Sequence, residues 1–240
     1  MAACPCASPP AQMAVYADDP GYHACSQASS GMCLDCETDA EELILEGDAF
    51  RGSTRDIWSF DLLVDRRLFA HKEGSVAQEP HMSWRVKLPQ GRKHVQLYFP
   101  CLASVSISRL EWLGGTETLP VVPQKRLLCL GDSITQGYTV HFPSLSYAAR
   151  LAAALDMALL NQAIAGETFY TAPRGRLRTF PLWRPLSCPA FSFCRSGQKP
   201  RRSGRSRPPA PACWKPGPKP AAPWRHRPDP ARPSWASAGR

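Results

Sequence analysis

Five short segments between residues 21 and 120 carry the pattern of β-strands. In DIWSFDLLVD, the side chains of Trp58, Phe60, Leu62 and Val64 occupy every second position. A period of two is typical of a strand that buries one of its faces. Turn residues such as proline and glycine separate the segments, and short strands spaced in this way are typical of two packed sheets. The sequence therefore predicts an all-β sandwich or jelly-roll-like module over residues 21–120. The other candidate strands are EELILEG, SWRVKLP, HVQLYFP and SVSISRLEWL.

The pattern changes at Val121. An apolar run over residues 126–130 ends at a glycine and is typical of a buried parallel strand. The Ala/Leu-rich residues 146–160 predict a helix, and residues 161–166 predict a second strand and its exit. Strand, turn, helix and strand in this order form a βαβ unit. The sequence therefore predicts the start of an α/β domain over residues 121–172.

The sequence GDSITQG lies between the first predicted strand and the helix, and it puts Ser133 on a glycine-flanked turn. Together with LNQAIAG, which ends at Gly166, it resembles the first two sequence blocks of the SGNH (GDSL-type) esterase and lipase family. The preceding β-rich region resembles the N-terminal β-sandwich of one branch of that family, an architecture that carbohydrate-acetyl esterases share. The resemblance covers about residues 21–172, and it implies a flavodoxin-like, three-layer α/β domain after the β-sandwich.

The same resemblance implies acyl-transfer chemistry. Ser133 would be the nucleophile, and the backbone N–H groups of Ser133 and Gly166 would stabilise the oxyanion. Asp132 would shape the turn and would not act on the substrate. The substrate would be an ester of a small molecule or a carbohydrate, and the reaction would need neither a metal nor a cofactor.

Two further blocks of the family have no counterpart in this chain. The third block supplies an asparagine, but the only asparagine here is Asn161, which lies in the second block. The last block is Asp-x-x-His, and none of the six histidines has an aspartate three residues before it. We therefore expect a member truncated after the second block, with little or no activity. The histidines are His23, His71, His81, His94, His141 and His226.

Residues 173–240 differ in composition from the rest of the chain. They contain 15 prolines, and 13 arginines and 3 lysines against one acidic residue, whereas the first 172 residues carry 13 basic and 19 acidic residues. The segment has no apolar periodicity and predicts a disordered tail. Because the positive charge is confined to this tail, the net charge of +9 does not itself predict nucleic-acid binding. Three interpretations stay open: a frame change or mis-assembled coding end, a basic tail for nucleic acid or acidic surfaces, and a proline-rich ligand for an SH3- or WW-like groove.

Residues 1–20 are rich in alanine and proline and predict a flexible arm. They lack the basic start and apolar run of a signal peptide, and no run reaches the ~20 apolar residues of a membrane helix, so we expect a cytoplasmic protein. Cys33 and Cys36 have no second pair at zinc-site spacing, so no metal is expected. The oligomeric state stays open. A second function class also stays open, namely a non-catalytic protein that binds glycan through the β-sandwich or nucleic acid through the tail.

Overall fold

The computed structural model describes residues 10–167, which are mostly β-sheet with few helices. The predictions made for residues 173–240 lie outside this range. Within it, no helix has the length and apolar character needed to cross a membrane. In chain order the elements are α1 (Pro10–Val15), α2 (Pro20–Ser26), β1 (Cys33–Thr38), β2 (Glu42–Arg51), β3 (Trp58–Val64), β4 (Arg67–Gly74), β5 (His81–Lys87), β6 (Lys93–Tyr98), β7 (Ala103–Leu113), β8 (Thr118–Pro120), β9 (Arg126–Cys129), α3 (Ser133–Gln136), α4 (Tyr147–Ala154) and β10 (Ala158–Asn161), with a 3₁₀ turn at Pro143–Leu145.

Strands β1 to β8 form two antiparallel sheets. One sheet has the strand order β4-β3-β6-β1-β8 and the other has the order β5-β2-β7. Both sheets contribute apolar side chains to one hydrophobic core, which is the main source of stability for such an arrangement. The core includes Trp58, Phe60, Leu62, Val95 and Leu97 from the larger sheet and Leu43, Leu45, Met82, Val105 and Ile107 from the smaller one.

Strand β3 is buried on both faces, whereas the alternation of its sequence predicts burial of one face only. The four apolar residues at alternate positions are at most 9% exposed, but Asp61 between them is also fully buried. Its carboxylate accepts hydrogen bonds from the N–H and hydroxyl of Ser144 at 2.8 and 2.5 Å, and Nδ1 of His71 lies 2.7 Å away. Ser144 belongs to the 3₁₀ turn, so this turn packs on the second face of β3 and joins it to the α/β segment.

Strands β9 and β10 form a separate parallel pair. Their register runs from Arg126 beside Ala158 to Cys129 beside Asn161. A strand was predicted at residues 126–130, and β9 lies there.

The predicted helix over residues 146–160 is wrong at its end. Helix α4 ends at Ala154, Asp156 adopts a positive φ of 53°, and Ala158 begins β10. The N–H of Ala158 donates to the carbonyl of Lys125, which starts the pairing with β9. An Ala/Leu run does not by itself distinguish a helix from a buried strand, and strand pairing decides it here. The second strand therefore ends at Asn161 and does not begin there.

The N-terminal segment also differs from the flexible arm predicted over residues 1–20. From Pro10 onward it forms α1 and α2, and Asp19 caps α2 by accepting hydrogen bonds from the N–H groups of Gly21 and Tyr22. An aspartate followed by proline is a strong helix start, because proline at the first helical position has no N–H to satisfy. The two helices pack on the residues after β10 through a small apolar cluster. This cluster contains Val15, Tyr16, Tyr22, Cys25, Ile164 and Ala165.

Candidate functional site

Ser133 lies where β9 joins α3, in residues 130–133, which we call the serine turn. Strand β9 ends at Cys129, and the side chain of Asp132 then caps α3 by accepting a hydrogen bond from the N–H of Ile134 at 3.0 Å. Asp132 therefore shapes the turn, as the resemblance implies. Ser133 is partly exposed, and within residues 10–167 its hydroxyl has no hydrogen-bond partner.

Residue 131 of the serine turn has room for glycine and for no residue with a side chain. A Cβ atom on Gly131 would lie 2.2 Å from Oγ1 of Thr135. Thr135 is buried, and its hydroxyl accepts a hydrogen bond from Tyr147 at 2.8 Å, so it cannot move aside freely. The glycine therefore allows the chain to pass close to Thr135 of α3 between the end of β9 and Ser133.

Gly166 lies in residues 164–167, which we call the glycine turn. The N–H of Glu167 donates to the carbonyl of Ile164 at 3.1 Å, and Gly166 occupies the third position with a φ of +85°. Type II turns need a positive φ at this position, which glycine adopts without strain. No acceptor within the part of the chain that the structure describes binds the N–H of Gly166. This N–H is therefore available to a bound oxygen atom.

The serine turn and the glycine turn are hydrogen-bonded to each other. The N–H of Ile164 donates to the carbonyl of Gly131 at 3.1 Å. The N–H of Ala165 donates to Oε1 of Gln136, at the end of α3, at 2.8 Å. The fold thus brings together the two segments in which the sequence predicts site residues.

A buried polar network holds the end of α3. The side-chain amide of Asn161 donates to the carbonyl of Thr135 at 2.7 Å and to the hydroxyl of Ser30 at 3.0 Å, and that hydroxyl donates to the carbonyl of Gln136 at 2.6 Å. The last carbonyl groups of a helix have no partners within the helix, so these bonds satisfy them. The single asparagine of the chain therefore supports the end of α3, the helix that begins at Ser133.

Helix α2 contacts the glycine turn directly. The hydroxyl of Tyr22 donates to the carbonyl of Gly166 at 3.0 Å, and the hydroxyl of Tyr16, just before α2, donates to Oε1 of Glu167 at 2.6 Å. Burial raises the pKa of Tyr22, and the negative charges of Asp19 and Glu167 raise it further. The Tyr22 phenol therefore stays protonated and able to donate at neutral pH.

The histidines within residues 10–167 are bonded to partners other than Ser133. The Asp61–His71 pair has the chemistry of a base with an orienting carboxylate, but the second ring nitrogen of His71 lies 3.4 Å from Glu73. None of the described histidines is therefore in place to take a proton from Ser133, and His226 lies outside the described residues. The remaining ring contacts are His23 with Gln27, His81 with Asp48, His94 with Asp35, and His141 with Glu73.

His141 follows α3 in the chain and lines an open cleft of about 500 Å³. Hydrogen bonds from His141 and His71 lower the pKa of Glu73 at the edge of this cleft. The cleft is formed by the loop that precedes β3, by the end of β4 and by His141, and not by the serine and glycine turns. Its lining residues are Thr54, Arg55, Asp56, Ile57, Glu73, Gly74, Ser75 and His141.

Sequence reasoning missed the residues that hold the two turns. Gln136 and Ser30 are buried. Tyr22 lies on α2, at a place where the sequence predicted the end of the flexible arm and the start of the β-rich region. The Asp-Pro helix start at residue 19 was a readable signal for α2. Nothing in the local sequence marks Gln136 or Ser30, because their partners are distant in the chain.

No protein-family model matches the sequence, and no curated protein matches it. Solved structures do resemble it. A salicylyl-acyltransferase from a tetracycline biosynthetic pathway superposes with a TM-score of 0.57 at 23% sequence identity, over 68% of this chain and 48% of that chain. The chain shares the fold of the part of that protein with which it superposes.

Two other solved structures are similar at lower TM-scores. A GDSL-like lipase from Bacteroides ovatus superposes with a TM-score of 0.49 at 17% identity, over 65% of this chain and 50% of that chain. A family two carbohydrate esterase from Clostridium thermocellum, in complex with cellohexaose, superposes with a TM-score of 0.47 at 17% identity, over 57% of this chain and 45% of that chain. The chain therefore spans about half the length of these three structures.

Proposed function

We propose that Ser133 is the nucleophile of an acyl-transfer site of the SGNH (GDSL-type) serine ester hydrolase kind. One observation carries this proposal. The serine turn and the glycine turn lie in segments that resemble the first two sequence blocks of that family, and they are hydrogen-bonded to each other. Between them they offer the hydroxyl of Ser133 and the N–H of Gly166, neither of which has a partner within residues 10–167. The likeness to an acyltransferase fold supports the reaction type.

The reaction that these groups serve is ester cleavage through an acyl-enzyme. Oγ of Ser133 bonds to the acyl carbon, the ester C–O bond breaks, and the alcohol leaves with the proton that Ser133 gave up. Water then cleaves the acyl-enzyme to release the acid and restore the serine. The N–H groups of Ser133 and Gly166 stabilise the oxyanion that forms in each step.

The missing base limits the rate of this chemistry. Removing one member of a catalytic triad leaves only about 10³–10⁴-fold acceleration over water, and losing one oxyanion donor costs a further ~10²–10³ in rate. Here the described histidines are bonded elsewhere, and the family's third-block asparagine has no counterpart. We therefore propose that the chain has little or no turnover of its own.

We extend the proposal to the architecture and substrate. The two antiparallel sheets would be the N-terminal β-sandwich of this family, and residues 121–167 would be the first part of its flavodoxin-like α/β core. The substrate would be an ester of a small molecule or a carbohydrate. The substrate class rests on the sequence motifs alone.

Two assays on the purified 240-residue chain test the proposal. With p-nitrophenyl acetate we expect equal, near-background hydrolysis by the unchanged protein and by Ser133→Ala. With diisopropyl fluorophosphate, where the Oγ–P bond forms and the P–F bond breaks with loss of HF, we expect slow modification that maps to Ser133 by peptide mass. Ser133→Ala should remove this modification.

Each assay has an outcome that overturns one claim. Hydrolysis at ordinary enzyme rates, about 1–10³ s⁻¹, that is lost in Ser133→Ala would overturn the claim of little or no turnover. Modification spread evenly over other serines, with Ser133 no more reactive than the rest, would overturn its assignment as the nucleophile. Ser144 is an internal reference, because it is buried and its hydroxyl is bonded to Asp61.

A further inference from the structure

Gln136 and Tyr22 hold the peptide groups on either side of the Gly166 N–H. The side-chain oxygen of Gln136 accepts a hydrogen bond from the N–H of Ala165 at 2.8 Å. That N–H belongs to the peptide group before the one that carries the Gly166 N–H. The hydroxyl of Tyr22 donates to the carbonyl of Gly166 at 3.0 Å, and this carbonyl belongs to the peptide group after the one that carries the Gly166 N–H. We propose that these two side chains, the Gly166 clamp, are positioning residues that aim the Gly166 N–H at the oxyanion. This inference rests on the proposed function.

The orientation of the Gln136 amide is determined by its surroundings. Gln136 is 1% exposed, and its Nε2 donates to the carbonyl of Cys25 at 3.0 Å while Oε1 accepts from Ala165. A flipped amide would set its NH₂ group against an N–H and its oxygen against a carbonyl, and both contacts are repulsive. The amide therefore holds Ala165 in one position only.

A buried glutamine is costly unless both ends of its amide are bonded. Burying an amide without hydrogen bonds is unfavourable, and ordering a long side chain in one conformation is a further cost. An apolar side chain at residue 136 would avoid the first of these costs. The two bonds of Gln136 join α2, α3 and the glycine turn, which no apolar side chain can do.

Both members of the clamp connect the site to α2. Tyr22 lies within this helix, and the Cys25 carbonyl that Gln136 binds lies near its end. A turn fixed from both sides loses little freedom when an oxyanion binds, which is the condition for effective electrostatic stabilisation. Helix α2 is therefore part of the support of the site, although it precedes Ser133 by more than 100 residues.

Gln136→Met and Tyr22→Phe test the clamp. The first removes both bonds of the amide at similar volume, and the second removes only the phenol hydroxyl. We expect the maximal rate of Ser133 modification by diisopropyl fluorophosphate to fall about tenfold or more in Gln136→Met and severalfold in Tyr22→Phe, because a displaced oxyanion donor loses part of an effect worth ~10²–10³. The inhibitor concentration for half-maximal rate should stay the same.

Amide hydrogen exchange and a matched variant complete the experiment. Exchange at Ala165 should become faster in Gln136→Met. Tyr138→Phe is the control, because its hydroxyl binds Thr54 at the cleft and neither of the two turns, and its modification rate should not change. Tyr22→Phe should unfold at the same urea concentration as the unchanged protein, which separates positioning from folding.

The outcomes distinguish the clamp from the proposed function. If Ser133 of the unchanged protein is not modified in preference to other serines, the proposed function fails and the clamp's role in it fails too. If Ser133 is modified normally and both variants react at the unchanged rate, only the clamp is overturned. Should Gln136→Met fail to fold, an unchanged rate in the folded Tyr22→Phe variant overturns the clamp by itself.

Discussion

Replacing Phe60 by alanine is expected to lower the free energy of unfolding by about 3–5 kcal/mol. Phe60 is fully buried in the core between the two antiparallel sheets. Its ring packs edge-on against Trp58 at 6.2 Å and Phe99 at 5.5 Å between ring centroids, so alanine removes these contacts as well as buried area. Because small domains have only about 5–15 kcal/mol of stability, this loss is a large fraction of the total. Urea unfolding followed by far-UV circular dichroism measures it.

Phe69→Ala is the matched control for this prediction. Phe69 lies on the neighbouring strand β4 but is 45% exposed, so its removal leaves no buried cavity. We expect a change of less than about 1 kcal/mol in the free energy of unfolding. An equal loss in the two variants would contradict the assignment of Phe60 to the core.

The strands that the sequence predicted are those with strong apolar alternation. Phe60 and its alternating neighbours marked β3, and the β-rich character of residues 21–120 followed from such runs. Three other strands were missed. Strand β4 is charged and largely exposed, β8 has three residues, and β1 mixes cysteine with acidic residues. Their strand form depends on pairing with distant segments, since β1 lies between β6 and β8, and a local pattern does not contain this pairing.

The motifs of the candidate site could be predicted from the sequence, but the contacts that hold its two turns could not. The glycines and Ser133 were visible because tight turns need particular residue types at fixed spacing. The contacts that hold the turns are long-range: Gln136 and Cys25 are 111 residues apart, and Tyr22 and Gly166 are 144 residues apart. No periodicity links such residues. Helix α1 carries no such local signal, and short helices are stabilised mainly by what they pack against, whereas α2 could have been predicted from its Asp-Pro start.

Replacing Asp61 by alanine is expected to lower the free energy of unfolding by about 3 kcal/mol, because buried hydrogen-bonding groups lose their acceptor. Asp61 is fully buried and binds both the N–H and the hydroxyl of Ser144, as well as His71. After the change, the N–H and hydroxyl of Ser144 stay buried without the carboxylate. Urea unfolding measures the loss, and amide exchange at Ser144 should become faster, since its N–H donates to Asp61.

Asp48→Ala separates the effect of burial from the effect of removing an aspartate. Asp48 also pairs with a histidine, His81, at 3.1 Å, but its side chain is 55% exposed, whereas that of Asp61 is fully buried. Exposed ion pairs contribute about 0–1 kcal/mol, because water replaces the lost partner. We therefore expect little change in this variant. If Asp61→Ala were equally mild, the 3₁₀ turn would not depend on this carboxylate, and another contact would have to join the α/β segment to β3.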